Sequence, residues 1–169
     1  LLKEKNTCYD EKTKKGNLRH IMTRVGKNTG ELMLVIITNE NEIKGIDKII
    51  SQLTREFANL ISVIQNINDK DTNVIMGREC KTLYGEEYIV DRLGDYNFKI
   101  SPLSFYQVNP VQTEILYNVA KDFAELDEND VVYDLYCGIG TISIFIADHV
   151  KKVYGVEIVE EAIEDAKMN

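Results

Sequence analysis

Two different spacings of apolar residues run along this chain. Residues 17–25 (NLRHIMTRV) and 31–38 (ELMLVIIT) are rich in β-formers and flank GKNTG (26–30), which predicts a hairpin. After Gly45 the spacing lengthens. Ile46, Ile49, Ile50, Leu53, Phe57 and Leu60 recur at the helical period and predict an amphipathic helix over 45–59. A strand is expected at 61–68 (ISVIQNIN), then short β segments punctuated by glycine: TNVIMG, KTLYG, EYIVDRLG and YNFKIS. Residues 1–100 therefore predict a small α+β domain, mostly antiparallel.

SPLSFYQVN (101–109) is a hinge in composition and in position. Beyond it Asn109 suits an N-cap, Pro110 the first helical position, and Gln112 a capping-box-like pair. Val111, Ile115, Leu116, Val119, Ala120, Phe123 and Ala124 form the expected buried stripe of a helix ending near Leu126. A strand (VVYDLY), a glycine turn (CGIG), a helix (TISIFIADHV), a strand (KKVYGVEI) and the start of a helix (VEEAIEDAKMN) follow. That β-α-β-α order predicts the opening of a doubly wound parallel sheet. The expected class is α/β, with an incomplete Rossmann-like domain over 101–169 behind the α+β domain of 1–100.

Composition narrows the function classes. With 44% hydrophobic residues and two prolines, the chain is a folded protein and not a disordered one. Its longest apolar runs, such as LMLVII (32–37), are too short to span a bilayer, and no signal peptide precedes them. Cys8, Cys80 and Cys137 are widely spaced without a CxxC pair. That excludes a disulfide framework and a zinc site and predicts a reducing, cytoplasmic setting. A net charge of −8 is unlike a self-sufficient nucleic-acid binder, so a basic surface would have to be local or lie on other segments. A chain that opens on LLKEKN and stops at EDAKMN, inside a helical pattern, is expected to be a fragment.

DLYCGIGT (134–141) is where chemistry is to be sought. It admits three readings: a cofactor loop, a nucleophile on a tight turn, or a plain strand-to-helix connection. A Gly-rich turn after a parallel strand brings backbone N–H groups and a helix N-terminus to the sheet edge where ligands bind. Gly138 and Gly140 remove side chains where a ligand would press on the main chain. Glu157 ends the next strand, where an acid accepts hydrogen bonds from the ribose hydroxyls of an adenosine-containing cofactor. The dinucleotide fingerprint would need glycine at 143, where Ser143 stands, and Asp134 before the turn fits S-adenosylmethionine better. Cys137 invites the nucleophile reading, since thiolates near helix N-termini have lowered pKa values. No histidine lies close to it in sequence, however, and a small residue beneath a cofactor is the preferred reading.

These segments resemble a known family, the S-adenosylmethionine-dependent RNA (uracil-5-)methyltransferases, which form 5-methyluridine in ribosomal and transfer RNA. GNLRHIMTRVGKNTGELMLVIIT (16–38) is similar to their central-domain signature, and SPLSFYQVNPVQTEILY (101–117) to the segment entering their catalytic domain. DLYCGIGTISIFIA with VYGVEIVEEAIEDAKMN looks like their cofactor-binding half. The resemblance implies covalent catalysis, in which a cysteine thiolate adds to C6 of uracil and a carboxylate base later removes the C5 proton. Both groups lie in the family past the point where this chain stops, so it is expected to hold no catalytic residue and to be inactive alone. Cofactor contacts are implied for Gln107, Tyr136 and Glu157. Asp134, Gly138 and Gly140 would shape the loop, and Thr141 stands where some members carry a contacting asparagine.

The implied partner is RNA, ribosomal more than transfer RNA, with neither DNA nor a membrane involved. Arg19, His20, Arg24 and Lys27 make the first hairpin the candidate RNA-facing patch, with Arg19 and His20 on opposite faces. An RNA-binding barrel and, in some members, an iron–sulfur cluster would precede Leu1. Cys8 lacks a cluster-like spacing, so no iron ligand is expected here. Two alternatives stay open: a non-catalytic RNA-binding module of the same fold, and an S-adenosylmethionine methyltransferase with a non-RNA substrate.

Overall fold

An apolar run without alternation, such as LMLVII, suits a strand covered on both faces. The computed structural model, which describes Leu1–Asn169, gives it that place. Strand β1 (Leu18–Val25) pairs antiparallel with β2 (Leu32–Thr38), β2 runs parallel to β3 (Leu60–Ile67), and β3 pairs antiparallel with β4 (Glu79–Gly85). Met33, Val35, Ile36 and Ile37 of the central β2 are wholly buried. Parallel neighbours need a long crossover, and helix α1 (Ile46–Glu56) supplies it. Its Ile46, Ile50 and Leu53 pack with Ile36, Leu60 and Val63. These elements make one of two compact units, residues 1–25 with 30–89.

The expected hairpin, helix and following strand are all present. The helix is shorter than 45–59: Phe57 is already extended and 44% exposed, and Leu60 opens β3. The apolar period overran because Leu60 continues it by coincidence from the next element. TNVIMG (72–77) is a correction, since it forms bends and not a strand. Its backbone is held by asparagine side chains instead of a ladder. Asn68 Nδ2 donates to the carbonyls of Val74 and Ile75 (2.7 and 3.1 Å), and Asn66 Oδ1 accepts from Gly77 N–H at 2.7 Å.

Arg19 is a second correction. The β1–β2 register slips between Leu18 and His20, so Arg19 is a bulge and the strict alternation of neighbours breaks there. Its side chain is 1% exposed and donates to the carbonyls of Asn68 and Lys70 at 2.7 and 2.8 Å. The guanidinium also lies 4.5 Å from the centre of the Tyr9 ring. Arg19 clasps the 68–72 loop and is withdrawn from any RNA-facing patch, whereas His20 is exposed.

The second unit comprises residues 26–29 and 90–169. Strands β5 (Ile89–Leu93) and β6 (Tyr96–Ile100) form a two-stranded sheet joined by Gly94 and Asp95. Asn28 N–H donates to the buried Asp91 Oδ1 at 2.8 Å, and Thr29 Oγ1 donates to Val90 O at 2.6 Å. Helix α2 (Pro110–Phe123) begins as expected: Asn109 Oδ1 accepts from Gln112 N–H at 3.2 Å, with Pro110 in the first turn. Strands β7 (Val131–Asp134) and β8 (Lys152–Gly155) pair in parallel across helix α3 (Thr141–Ala147), and helix α4 (Glu160–Met168) follows. The expected α/β class therefore holds, with β-α-β-α as a Rossmann-like opening. Phe145 and Ile146 of α3 form its core with Leu93, Phe98 and Tyr117, backed by Val132 and Val153. No helix is long and apolar enough to cross a membrane.

The stripe assigned to α2 faces outward, which corrects its expected burial. Pro110, Thr113 and Tyr117 are buried, while Val111, Ile115, Leu116, Val119 and Phe123 are exposed, Phe123 by 86%. Tyr117 decides the face. Its ring meets Phe145 edge-on at 5.5 Å, and its hydroxyl pairs with Thr141 Oγ1 at 2.9 Å. An aromatic whose polar tip is satisfied competes with aliphatic residues for the interior.

Candidate functional site

Strand β7 ends at Asp134, and the chain turns through 135–140 into α3. Gly138 and Gly140 both take left-handed backbone angles (φ 53° and 83°), which other residues adopt only with strain. Their surroundings differ. A Cβ built on Gly138 meets nothing within 4 Å, whereas one on Gly140 meets Ile144 Cδ1 at 3.5 Å and Ala166 Cβ at 3.6 Å. Gly138 thus leaves bare main chain at the surface, whereas Gly140 is buried against α4 and is required there by its backbone angle. Tyr136 stands 91% exposed on the same turn. Asp134 Oδ2 accepts from Ser143 Oγ at 2.6 Å, so the serine that breaks the dinucleotide pattern fixes the strand-end acid.

Glu157 lies just past β8 and reaches back to this turn. Its Oε2 accepts from Gly138 N–H at 3.1 Å, and its Oε1 accepts from the N–H groups of Ile158 and Val159 at 2.8 and 2.9 Å. The Val159 N–H, followed by those of Gly138 and Ile158, holds the carboxyl below its ordinary value of 4.5. A charged acceptor is therefore fixed beside exposed glycine backbone.

Cys137 sits beneath the turn, 6% exposed, with its N–H donating to Val156 O at 3.1 Å. Burial first, then the charges of Asp134 and Glu157, push its thiol pKa up. That is the opposite of the activation a helix N-terminus gives a nucleophile. The geometry makes Cys137 a packing group.

The turn brings together Asp134, Tyr136, Gly138, Gly140 and Thr141, with Glu157 bonded to it and the Thr141 hydroxyl shared with Tyr117. Gln107 is half-buried on the 101–109 segment. A carboxylate acceptor, an open stretch of backbone and an exposed aromatic ring suit a ligand with ribose hydroxyls and a planar base. Sequence reasoning missed a second polar cluster in which Asp165 accepts from Ser101 and Ser104, and Asn169 bonds Lys99 and Ile139. Its one signal in the sequence was two polar residues four apart in the helix after Glu157.

A family model described as tRNA (Uracil-5-)-methyltransferase matches residues 37–169. An "Uncharacterized RNA methyltransferase" of Oceanobacillus iheyensis is 55% identical over 162 residues, which are 96% of this chain and 35% of that protein. Another, from Clostridium tetani, is 51% identical over 163 residues, again 96% of this chain and 35% of its own length. The chain thus spans about a third of the curated relatives it matches. The crystal structure of Pyrococcus abyssi tRNA (uracil-54, C5)-methyltransferase in complex with S-adenosyl-L-homocysteine superimposes with a TM-score of 0.80 at 30% identity. That match covers 99% of this chain and 40% of the archaeal one.

Proposed function

This chain belongs to the tRNA (Uracil-5-)-methyltransferase family, and on that premise we propose that it forms the cofactor-holding part of an RNA methyltransferase acting at C5 of a uridine. In this reading residues 101–169 are the first part of the S-adenosylmethionine-binding domain, and residues 1–100 are the central domain. The observation that carries it is the charged Glu157 carboxylate bonded to Gly138 N–H at the open edge of the β7–α3 turn. The methionine-derived cofactor supplies, when bound, an electrophilic methyl group on a sulfonium.

The chain's own residues bind and orient. Glu157 accepts the ribose hydroxyls, and Tyr136 packs against the ligand. Gly138 keeps the main chain bare, with Asp134, Gly140 and Thr141 shaping the turn and Gln107 contributing from the 101–109 segment. The S-adenosyl-L-homocysteine of the Pyrococcus abyssi structure supports this choice of ligand. Cys137, buried and with a raised pKa, is left out of the chemistry. The nucleophile and base are assigned to portions of the longer relatives that this chain does not span.

The test is a calorimetric titration of the chain with S-adenosyl-L-homocysteine, beside Glu157→Ala. Saturable binding that weakens at least about tenfold in the variant is expected for loss of hydrogen bonds to a charged acceptor. Equal affinity in both proteins overturns the ribose role, and no binding by either overturns the cofactor reading. For the RNA, the resemblance favours ribosomal over transfer RNA, whereas the family description and the archaeal relative both name tRNA. Transfer of a labelled methyl group by the full-length protein to each RNA decides between them.

A further inference from the structure

We infer that Asp165 of α4 and Asn169 at its C-cap are positioning residues that lock the 101–107 segment to the glycine turn, so that Gln107 and Glu157 address one ligand. The inference rests on the cofactor reading above. Asp165 is a carboxylate only 7% exposed. Its Oδ2 accepts from the hydroxyl of Ser101 at 2.7 Å and from that of Ser104. The two serines close their own turn: Ser101 N–H donates to Ser104 Oγ at 2.9 Å, and Ser104 N–H to Ser101 O at 3.3 Å. One helical turn further on, Asn169 Oδ1 accepts from Lys99 N–H at 2.7 Å, and its Nδ2 donates to Ile139 O at 3.1 Å. Ile139 is the residue between the two glycines. Ala166, between the two polar residues, abuts the position where a Gly140 side chain would stand.

Residues 165, 166 and 169 share one face of α4, so a single rigid element touches both halves of the site. Packing alone does not ask for a carboxylate here. A buried charge is costly unless it is hydrogen-bonded, and an apolar side chain fills the same space without that requirement. What a carboxylate adds is direction. It fixes two hydroxyls of a segment that belongs to no helix or strand and therefore has no ladder to hold it. Gln107 lies three residues beyond Ser104, so the clamp sets the path along which it is delivered.

Amide hydrogen exchange of the unliganded chain tests the brace directly. Asp165→Asn, which keeps the side chain's size, should raise exchange at the bonded amides of Ser101 and Ser104 at least about tenfold while β7 and β8 stay protected. Titration with S-adenosyl-L-homocysteine should then show about tenfold weaker binding for Asp165→Asn in the wild-type background. In a Gln107→Ala background the same change should cost less than about twofold, because coupled residues are non-additive. A merely structural Asp165 would weaken binding equally in both backgrounds. That result, or unchanged exchange at the Ser101 and Ser104 amides, overturns the inference. Should Asp165→Asn fail to fold, Ser101→Ala removes one of the two hydroxyls and carries the same readouts. If the wild-type chain binds no ligand, the cofactor reading falls, and exchange at the Ser101 and Ser104 amides still decides the brace.

Discussion

Gly155→Ala probes how tightly the glycine turn is packed and what Cys137 is for. Strand β8 passes so close to the turn that a Cβ on Gly155 would stand 2.9 Å from Cys137 Sγ and 3.2 Å from Cys137 Cβ. Both distances fall inside the optimum of roughly 3.5–4.0 Å for non-bonded heavy atoms. The thiol has little room to yield, because Cys137 is buried and its N–H is tied to Val156 O. Overpacking of this kind costs about 1–3 kcal/mol, and replacing glycine in a strand returns about 0.5–1 kcal/mol of backbone entropy. The expected net loss is about 1–2 kcal/mol. Cys137→Ala alone removes one buried heavy atom and should cost about 1 kcal/mol. In the double variant the new methyl enters the space the sulfur has left, so the losses should not add. A coupling of about 1 kcal/mol or more is expected, against the 0.3–0.5 kcal/mol scatter of independent sites. Urea unfolding of the four proteins, followed by circular dichroism at constant m-value, measures it. Additive losses would refute the steric reasoning. Cys137→Ala should also bind S-adenosyl-L-homocysteine as tightly as wild type, and a lost affinity would return the thiol to the site.

Three further outcomes are expected. Gly138→Ala has open space for its methyl but a φ of 53°, so it should lose about 1–2 kcal/mol in the same urea assay and bind the ligand more weakly, the methyl standing on the bare face of the turn. Arg19→Met leaves the carbonyls of Asn68 and Lys70 without their donor, which should destabilise the chain by about 2–4 kcal/mol and expose 68–78 to limited proteolysis. Glu157 has a folded pKa below 4.5, so its stabilising contribution is complete above that value and is lost as pH falls through the lowered one. The gap in urea midpoint between wild type and Glu157→Gln should therefore be widest near neutral pH and close in acid, and a gap that widens in acid would contradict the assignment.

What could be read from the sequence were the features whose partners arrive within one supersecondary unit. Glu157 and Gly138 are joined by a β-α-β unit of standard size, so a strand-end acid meeting a turn glycine follows from local order alone. The β1–β2 hairpin shows in the β-formers on either side of GKNTG, and α1 in a helical apolar period that Leu60 of β3 prolongs past its end. Arg19 escaped because a bulge changes the register by one residue, and a period-two pattern contains no sign of where it slips. TNVIMG escaped because Asn66 of β3 and Asn68 just past its end satisfy its backbone, so its β-forming residues were never asked to pair. The inward face of α2 escaped for a related reason. Tyr117 is worth burying only once Thr141 and Phe145 of α3 are there to meet its hydroxyl and its ring. The pairing of Asp165 with Ser101 spans 64 residues and exists only because α4 lies against β6, a choice that no spacing within either segment records. The contacts proposed to hold a ribose are thus local and legible, and the bonds that fix the 101–104 turn to α4 are made by tertiary packing.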